Sequence, residues 1–432
     1  MDTPERALRG RTAALASVLD QGAAGLTNIL VLILAARLST VSGFAQFSMV
    51  YLVFTVALGL FMAYVGQALV LEKGTLPERA AACRSALGFT AAASCAVGVA
   101  LVALGLVSGP VAGLLAEPSG RALAALGAVL PVVLLQDAAR YCFSLLGRPH
   151  HALVADGLRL VCTVAVLMAQ PDGASPSRLV LAWGLAALPG LAAGLLLLRR
   201  TLGAGGRGNL RRYVRRGHLG QRFAVEFAVG NGSSQLAVLA LGAVGSPLAV
   251  GALRGASALF GPLNVFFGAA NGFGPPLLNR LGGGRAVVRA TLLLGAALAG
   301  TGAVWGAVWW LLPDGWGRQV LGDTWPAVAE LLPASAAQYT LMGLGVSALL
   351  TLRVLSPKQT LPVQLVFSVL SVVLLFTGFA LGGALGAAWG LACGSGLKAV
   401  AAWVRVLRLR RAADGPSEET PRGRARHRAG RG

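Results

Sequence analysis

Two acidic residues, Asp20 and Glu226, lie 206 positions apart, each near the start of a long apolar stretch. A carboxylate within a bilayer costs roughly 2.5–3.5 kcal/mol on insertion scales, so it needs a partner, water or a function. One such function is to bind a proton or a sodium ion whose entry is coupled to movement of the protein. The two acids are therefore candidate ion-coupling residues. A simpler alternative stays open, in which each carboxylate is hydrated at the interface or paired with Arg6, Arg11 or Arg222.

Four further charges form two i, i+3 pairs on successive predicted helices, Asp137 with Arg140 and Asp156 with Arg159. Residues at this spacing share one face of a helix. If the chain folds back at Pro149, the two pairs meet at similar depths. We expect the four residues to form one charge-compensated structural cluster, with a cavity-lining role as the alternative.

The composition predicts a membrane protein. Of the 432 residues, 56% are hydrophobic and 12% are charged, whereas a soluble domain carries about 25% charged residues. The five cysteines form no C-x-x-C pair, and the four histidines lie in predicted loops or the tail. There is no Walker motif, and the predicted exterior loops lack histidine or paired acids. We therefore expect no metal, no cofactor and no enzymatic activity.

Apolar runs and turn residues predict twelve transmembrane helices. They lie at roughly 13–35, 45–70, 85–107, 122–145, 152–169, 179–198, 222–242, 248–274, 286–312, 327–350, 361–380 and 384–407. With the N-terminus in the cytoplasm, 30 of the 37 lysines and arginines fall in cytoplasmic segments and four in exterior ones. This asymmetry favours twelve spans with both termini inside, because one missed helix would invert every later loop. It also explains the net charge of +21 without a nucleic-acid partner.

The segment Asp20–Leu71 aligns without a gap onto Glu226–Leu277, which indicates an internal repeat. An even number of spans per copy relates the copies by an axis along the membrane normal. The predicted fold is an all-α polytopic membrane protein with two six-helix lobes in a parallel 6+6 repeat. Its parts are an N-terminal lobe (1–198), a basic cytoplasmic linker (199–222), a C-terminal lobe (223–407) and a disordered basic cytoplasmic tail (408–432).

Several stretches carry a family pattern. They are Asn28–Leu71, Leu135–Tyr141, Gly147–Pro149 and Leu248–Leu278. Over roughly 13–407 the chain resembles the multidrug/oligosaccharidyl-lipid/polysaccharide (MOP) flippase superfamily, and most of all its bacterial polysaccharide and O-antigen branch, which moves lipid-linked oligosaccharides. The resemblance implies two lobes around a central cavity, lined largely by spans one, two, seven and eight, with alternating access. The chain has no room for the two extra helices of lipid II flippases.

Such a cavity supplies candidates for substrate contact. Arg254 could bind the phosphate of a headgroup through two oxygens, or its side chain could reach the outer interface. Lys398 in span twelve has the same two alternatives, or an intramembrane pair. Amides suit sugar hydroxyls because they both donate and accept, although they also join helices. The amide candidates are Asn28, Gln67, Asn231, Gln235, Asn264 and Asn271. Pro262 is expected to bend span eight.

The leading hypothesis is a flippase that moves a lipid-linked oligosaccharide from the inner to the outer leaflet of the bacterial cytoplasmic membrane. The alternative is a multidrug/cation antiporter on the same scaffold, against which the low aromatic content of 6% weighs. A non-transporting scaffold also stays open. Expected partners are the lipid-linked glycan, membrane lipids and a coupling proton or sodium ion, but no nucleic acid. A glycan polymerase or glycosyltransferases are candidate protein partners.

Overall fold

In a computed structural model, the chain is described over residues 4–107, 117–202, 208–267, 270, 284–356 and 359–414, and these residues form helices and turns without a strand. The N-terminal half contains α1 (Pro4–Leu38), α2 (Val41–Phe61), α3 (Leu76–Val107), α4 (Glu117–Leu145), α5 (Pro149–Met168), α6 (Pro176–Leu185) and α7 (Leu188–Leu202). The C-terminal half contains α8 (Leu219–Phe227), α9 (Ser233–Val244), α10 (Pro247–Leu259), α11 (Gly261–Phe267), α12 (Gly284–Leu311), α13 (Leu332–Leu355) and α14 (Thr360–Asp414). Short helices cover Arg211–Val214, Asp314–Leu321 and Trp325–Ala329.

Local sequence explains where these helices begin. The Thr40 hydroxyl accepts a hydrogen bond from the Gly43 N–H at 3.2 Å and so caps α2. Gly147 has a φ of +69°, which permits the tight reversal between α4 and α5. Pro149 then occupies the first turn of α5, where its missing N–H costs nothing. This hairpin places α4 beside α5, as the fold at Pro149 predicted.

Nine helices in the described ranges are long and apolar enough to cross a bilayer, or ten if α10 and α11 count as one bent span. The bend between α10 and α11 is 55°. Pro262 lies in the first turn after this break, so the predicted bend of span eight is confirmed. The chain is thus an all-helical, multi-pass membrane protein.

The long segment α14 is a helical hairpin. Gly382 and Gly383 have non-helical backbone angles, and Gly383 has a φ of +58°. Across the reversal, Gly378 faces Gly386 so closely that neither could carry a Cβ. The segment therefore contains two antiparallel helices, at the positions predicted for spans eleven and twelve. Its second helix continues to Asp414, past the predicted start of the tail at 408, and residues 415–432 lie outside the described part.

Two π-helical turns interrupt apolar segments, one in each half of the chain. One, Met62–Gln67, follows α2, and the other, Ala228–Gly232, separates α8 from α9. Between residues 219 and 244, only Ser233–Ala243 is an uninterrupted apolar helix, and it is short. The number of twelve spans and the 6+6 symmetry therefore remain predictions. The predicted seventh span corresponds to two short helices joined by a π turn.

The two halves contact each other along α2. At the start of α2, a Cβ on Gly251 of α10 would lie 3.0 Å from the Cα of Ala45, so these helices touch backbone to backbone. At the other end, the Phe227 ring of α8 fills the space beside Gly59. One continuous hydrophobic core joins the halves and includes Phe47 and Phe260. Both ends of α2 are therefore packed against the C-terminal half.

Candidate functional site

Three helices of the N-terminal half enclose a group of buried polar side chains, which we term the carboxylate cluster. α1 contributes one member, α4 three and α5 two. The members are Asp20, Gln136, Asp137, Arg140, Asp156 and Arg159. Isolated charges are costly in a buried environment, so their mutual contacts decide what the cluster can do.

An ion pair and a hydrogen-bond chain link α4 to α5 within the cluster. Arg140 Nη2 donates to Asp137 Oδ1 at 2.9 Å, and Arg140 Nη1 lies 3.7 Å from Asp156 Oδ2. Gln136 donates through Nε2 to Asp156 Oδ1. Arg159 Nη1 in turn donates to Gln136 Oε1 at 2.5 Å. The structure thus brings together the four charges that the sequence placed on one helical hairpin.

Asp20 joins this cluster from α1. Its side chain is 4% exposed, and its Oδ1 has no hydrogen-bond partner among the described residues. Asp156 lies within hydrogen-bonding reach of the Asp20 carboxyl group, and Arg140 and Asp137 act on it electrostatically. With every group ionised, three acids face two arginines, so the cluster carries one net negative charge. One proton or one monovalent cation would neutralise it.

Close helix packing holds the cluster in place. α1 runs along α5 over much of its length. α7 approaches α5 at Gly190, where a Cβ would lie 2.7 Å from the Ala155 carbonyl oxygen and 3.1 Å from the Arg159 Cβ. No residue larger than glycine fits there without displacing the α5 backbone. The glycine therefore allows α7 to cover Arg159.

A second polar group, the interface arginine site, combines residues from both halves. Arg254 of α10 places its Cζ 5.8 Å from the ring centroid of Tyr51 on α2, within cation–π range. The Tyr51 hydroxyl donates to Asn28 Oδ1 on α1 at 3.1 Å. Asn264 Nδ2 donates to the hydroxyl of Tyr339 at 3.4 Å. The phenol of Tyr339 also interacts electrostatically with the Arg254 guanidinium. Three of the predicted cavity residues, Arg254, Asn28 and Asn264, therefore lie in one region.

Arg254 has no charge partner there. The groups that act on its guanidinium, within the described part of the chain, are the phenols of Tyr51 and Tyr339, and Nε has no hydrogen-bond acceptor. An arginine with a free N–H beside two phenols and two amides is a ready receptor for an anion.

Glu226 is in different surroundings. It is a partly exposed residue of α8, and its Oε1 accepts from Arg222 Nε at 3.0 Å. This is the interfacial pair that the sequence left open as the alternative to an ion site. Gln67 is exposed at the end of the first π turn, and Gln235 is half-buried on α9.

The remaining candidates lie apart from the two polar groups. Lys398 is half-buried on the second helix of α14, and it forms no ion pair with any described residue. Asn231 belongs to the second π turn, with a side chain outside the described part, and Asn271 lies entirely outside it. No group of histidine, cysteine, aspartate or glutamate residues suited to a metal ion occurs among the described residues.

Sequence reasoning missed Gln136, Tyr51 and Tyr339. Gln136 directly precedes Asp137 in an apolar run, and the chain has only five tyrosines. A polar side chain in the middle of a span was thus an available signal for all three. Their partners were not available, because Tyr51 meets Arg254 only when α2 and α10 pack together.

An aromatic group binds the linker between the halves to the first π turn and to α3. Tyr64 donates its hydroxyl to the Tyr213 carbonyl oxygen, and the Tyr213 ring lies 4.9 Å from Phe89 and 4.8 Å from His218. Arg212 forms an ion pair with Glu72. Burial, with the nearby Arg212 charge, lowers the pKa of His218 below its ordinary value. We term these residues the linker clasp.

No protein-family model matches this sequence, and no curated protein matches it. Among solved structures, the fold is similar to an inward-facing multidrug-resistance MATE transporter of the MOP superfamily, at 12% identity, 91% coverage of this chain, 96% of that chain and a TM-score of 0.65. It is similar to the lipid II flippase MurJ in an inward closed conformation, at 10% identity, coverage of 92% and 90%, and a TM-score of 0.69. A Vibrio cholerae MATE transporter, VcmN, gives 15% identity, coverage of 94% and 97%, and a TM-score of 0.57.

At these identities the similarity concerns the fold, and it extends over almost the whole chain. The three similar structures are two transporters and a flippase rather than enzymes. The TM-scores are higher for the two inward conformations than for a MATE structure in a bent conformation, which gives 0.53. The all-helical architecture of this chain is therefore that of the MOP-type transporters.

Proposed function

We propose that the protein is a flippase that moves a lipid-linked oligosaccharide, or a related polysaccharide precursor, from the inner to the outer leaflet. The observation that carries this proposal is Arg254. Its guanidinium lies between the two halves with phenols and amides around it, and no carboxylate of the described residues acts on it. A phosphate of the lipid carrier supplies the missing negative charge, and the amides of Asn28 and Asn264 suit sugar hydroxyls.

The carboxylate cluster is the proposed ion-coupling site. Its one excess negative charge and the free Oδ1 of Asp20 fit a proton, which two neighbouring carboxyl groups can share. A sodium ion is the alternative that the same charge count allows. Glu226 is not needed in this scheme, since Arg222 already neutralises it.

Transport would proceed by alternating access between two six-helix lobes, residues 1–198 and 223–407. α2 supports this scheme because its two ends contact the C-terminal half separately, at Ala45 and at Gly59. Releasing one contact while keeping the other would open the interface arginine site toward one leaflet at a time. The basic segments favour insertion in a bacterial cytoplasmic membrane with both termini in the cytoplasm. A glycan polymerase or glycosyltransferases would be the protein partners.

A multidrug/cation antiporter is the second candidate, favoured by the similarity to MATE transporters. The electrostatics of the interface arginine site distinguish the two functions. A cationic drug would meet the charge of Arg254, which repels it, whereas an anionic headgroup would be attracted. The flippase is therefore the better supported of the two.

The test uses the full-length protein in proteoliposomes that contain a short-chain polyprenyl pyrophosphate bearing a fluorescent disaccharide. Wild-type protein should move the probe between leaflets faster than protein-free vesicles, as measured by quenching from outside. Arg254→Gln should remove this activity, and Arg222→Gln, which removes an exposed arginine, should retain it. Transport of a cationic dye panel without movement of the glycolipid would contradict the flippase and support the antiporter.

A further inference from the structure

The carboxylate cluster and the interface arginine site together are balanced in charge. The cluster has one acid more than it has arginines, and Arg254 is the one arginine of the neighbouring site. Asp20, on the acidic side, has a free carboxylate oxygen, and Arg254 has a free Nε. Each site therefore carries an unmet charge of opposite sign to the other.

Tyr51 lies between the two sites. Arg159 of the cluster and Arg254 both act electrostatically on its phenol, from α5 and α10 respectively. The ring is 3% exposed and packs against Trp183, with centroids 5.3 Å apart. Its hydroxyl is fixed by the hydrogen bond to Asn28. Tyr51 is thus a rigid group that faces one arginine from each half of the protein.

We propose that loss of the negative charge at Asp20 and binding of a phosphate-bearing headgroup at Arg254 favour each other, and that Tyr51 is the positioning residue that couples them. This inference rests on the proposed function. It adds that the coupling is positive, so that the cation at Asp20 and the anionic headgroup at Arg254 bind together. It also adds a role for Tyr51, which interacts electrostatically with an arginine of each site.

The physical reason is the charge that the cluster presents to an anion at Arg254. While Asp20 is ionised, the excess negative charge of the cluster repels an incoming anion. When Asp20 is neutralised, this repulsion is lost, and Arg159, which is then less compensated, attracts the anion from the other side of the Tyr51 ring. By linkage, a bound anion favours neutralisation of Asp20 to the same extent.

The size of the effect is set by the separation between Asp20 and the interface arginine site. Asn28 of that site lies eight residues after Asp20 on α1, so this separation is on the scale of roughly 12 Å at 1.5 Å per residue. A unit charge at that distance, with an effective dielectric constant of about 20, changes a binding constant by about tenfold. A change of that size is measurable by direct titration.

The experiment is equilibrium binding of geranyl pyrophosphate to the purified full-length protein in lipid nanodiscs, at fixed pH and salt. Asp20→Asn should bind the probe about tenfold more tightly than wild type. Asp172→Asn, which removes an exposed loop carboxylate, should leave the affinity unchanged. Tyr51→Phe keeps the ring over Arg254 but removes the hydroxyl that binds Asn28. In that background, Asp20→Asn should raise the affinity for the probe by less than about threefold.

The outcomes separate the two levels of the argument. If Arg254→Gln binds the probe as wild type does, the anion site and with it the proposed function are wrong. The coupling alone is overturned if Arg254→Gln loses binding but Asp20→Asn does not raise the affinity for the probe. The same holds if Asp20→Asn raises the affinity by the same factor in the wild-type and in the Tyr51→Phe background. Asp156→Asn makes the same charge change and carries the same expectation should Asp20→Asn fail to give folded protein.

Discussion

Asp20 and Glu226 occupy matching places in the predicted sequence repeat, yet the structure gives them opposite surroundings. Asp20 is buried among charges from α4 and α5, and one of its oxygens has no hydrogen-bond partner in the described part of the chain. Glu226 is partly exposed and forms a local pair with Arg222, four residues before it on the same helix. One acid is thus held in a shared electrostatic network, whereas the other is neutralised by its own helix.

The difference shows that a repeated acid is not a repeated site. What makes Asp20 a candidate for ion coupling is the hairpin of α4 and α5, which supplies two more acids and two arginines. In the described part of the C-terminal half, α8 is followed by a π turn, and Glu226 meets no such network. The predictions below test this contrast, beginning with the largest expected effect.

The strongest contrast concerns stability. Arg140→Gln leaves Asp137 and Asp156 without their cation and should lower the free energy of unfolding by about 3–5 kcal/mol. Arg222→Gln removes the partner of Glu226 and should cost no more than about 0.5 kcal/mol, because the pair is exposed. Thermal unfolding in the same detergent compares the two. If both substitutions lowered the free energy of unfolding equally, the buried cluster would contribute no more stability than an exposed ion pair.

The next contrast concerns transport. Asp20→Asn should reduce ion-driven movement of the lipid-linked probe by roughly tenfold or more, within the usual range of coupling energies, while the protein still inserts. Glu226→Gln should change the rate by less than about twofold, since its charge is already neutralised locally. Initial rates in proteoliposomes with an imposed proton or sodium gradient measure both. A larger loss for Glu226→Gln would reverse the assignment of the two acids.

A smaller contrast concerns the packing beside each acid. Gly190→Ala would force a Cβ against the Ala155 carbonyl oxygen and should destabilise the protein by about 1–3 kcal/mol. Gly230→Ala, four residues after Glu226, meets its nearest neighbour at an ordinary 3.8 Å. It should change stability by no more than about 0.5 kcal/mol. A series of thermal melts on both variants would show whether the cluster side is the more tightly packed.

The smallest effect concerns pH at the linker clasp. Because the folded protein lowers the pKa of His218, the neutral form contributes stability above the ordinary histidine pKa of about 6.5. That contribution is lost as the pH falls below this value. Hydrogen exchange at Tyr213 should therefore quicken as the pH falls from 7 to 5, after correction for intrinsic rates. His218→Gln should abolish this extra dependence, and a dependence that persists would remove His218 from the explanation.

The sequence predicted the parts that depend on local pattern. Apolar runs predicted an all-helical chain, the gap between predicted spans eleven and twelve falls at the reversal of α14, and Pro262 marked a bend that the structure confirms. The spacing of Asp137, Arg140, Asp156 and Arg159 was enough to place the four charges together across one hairpin. Periodicity and turn chemistry act over a few residues, so they are visible in a single chain.

Tertiary structure alone decided which acids share a network of ion pairs and hydrogen bonds, and which arginine lies outside it. Asp20 reaches Asp156 because α1 packs along α5, and Tyr51 meets Arg254 because α2 and α10 touch across the halves. Neither contact has a signature in the sequence, since buried apolar surface binds helices together without regard to which polar groups it brings along. Residue types and their order thus fixed a helical membrane protein with charges inside it. The packing of distant helices determined where those charges are left without a partner.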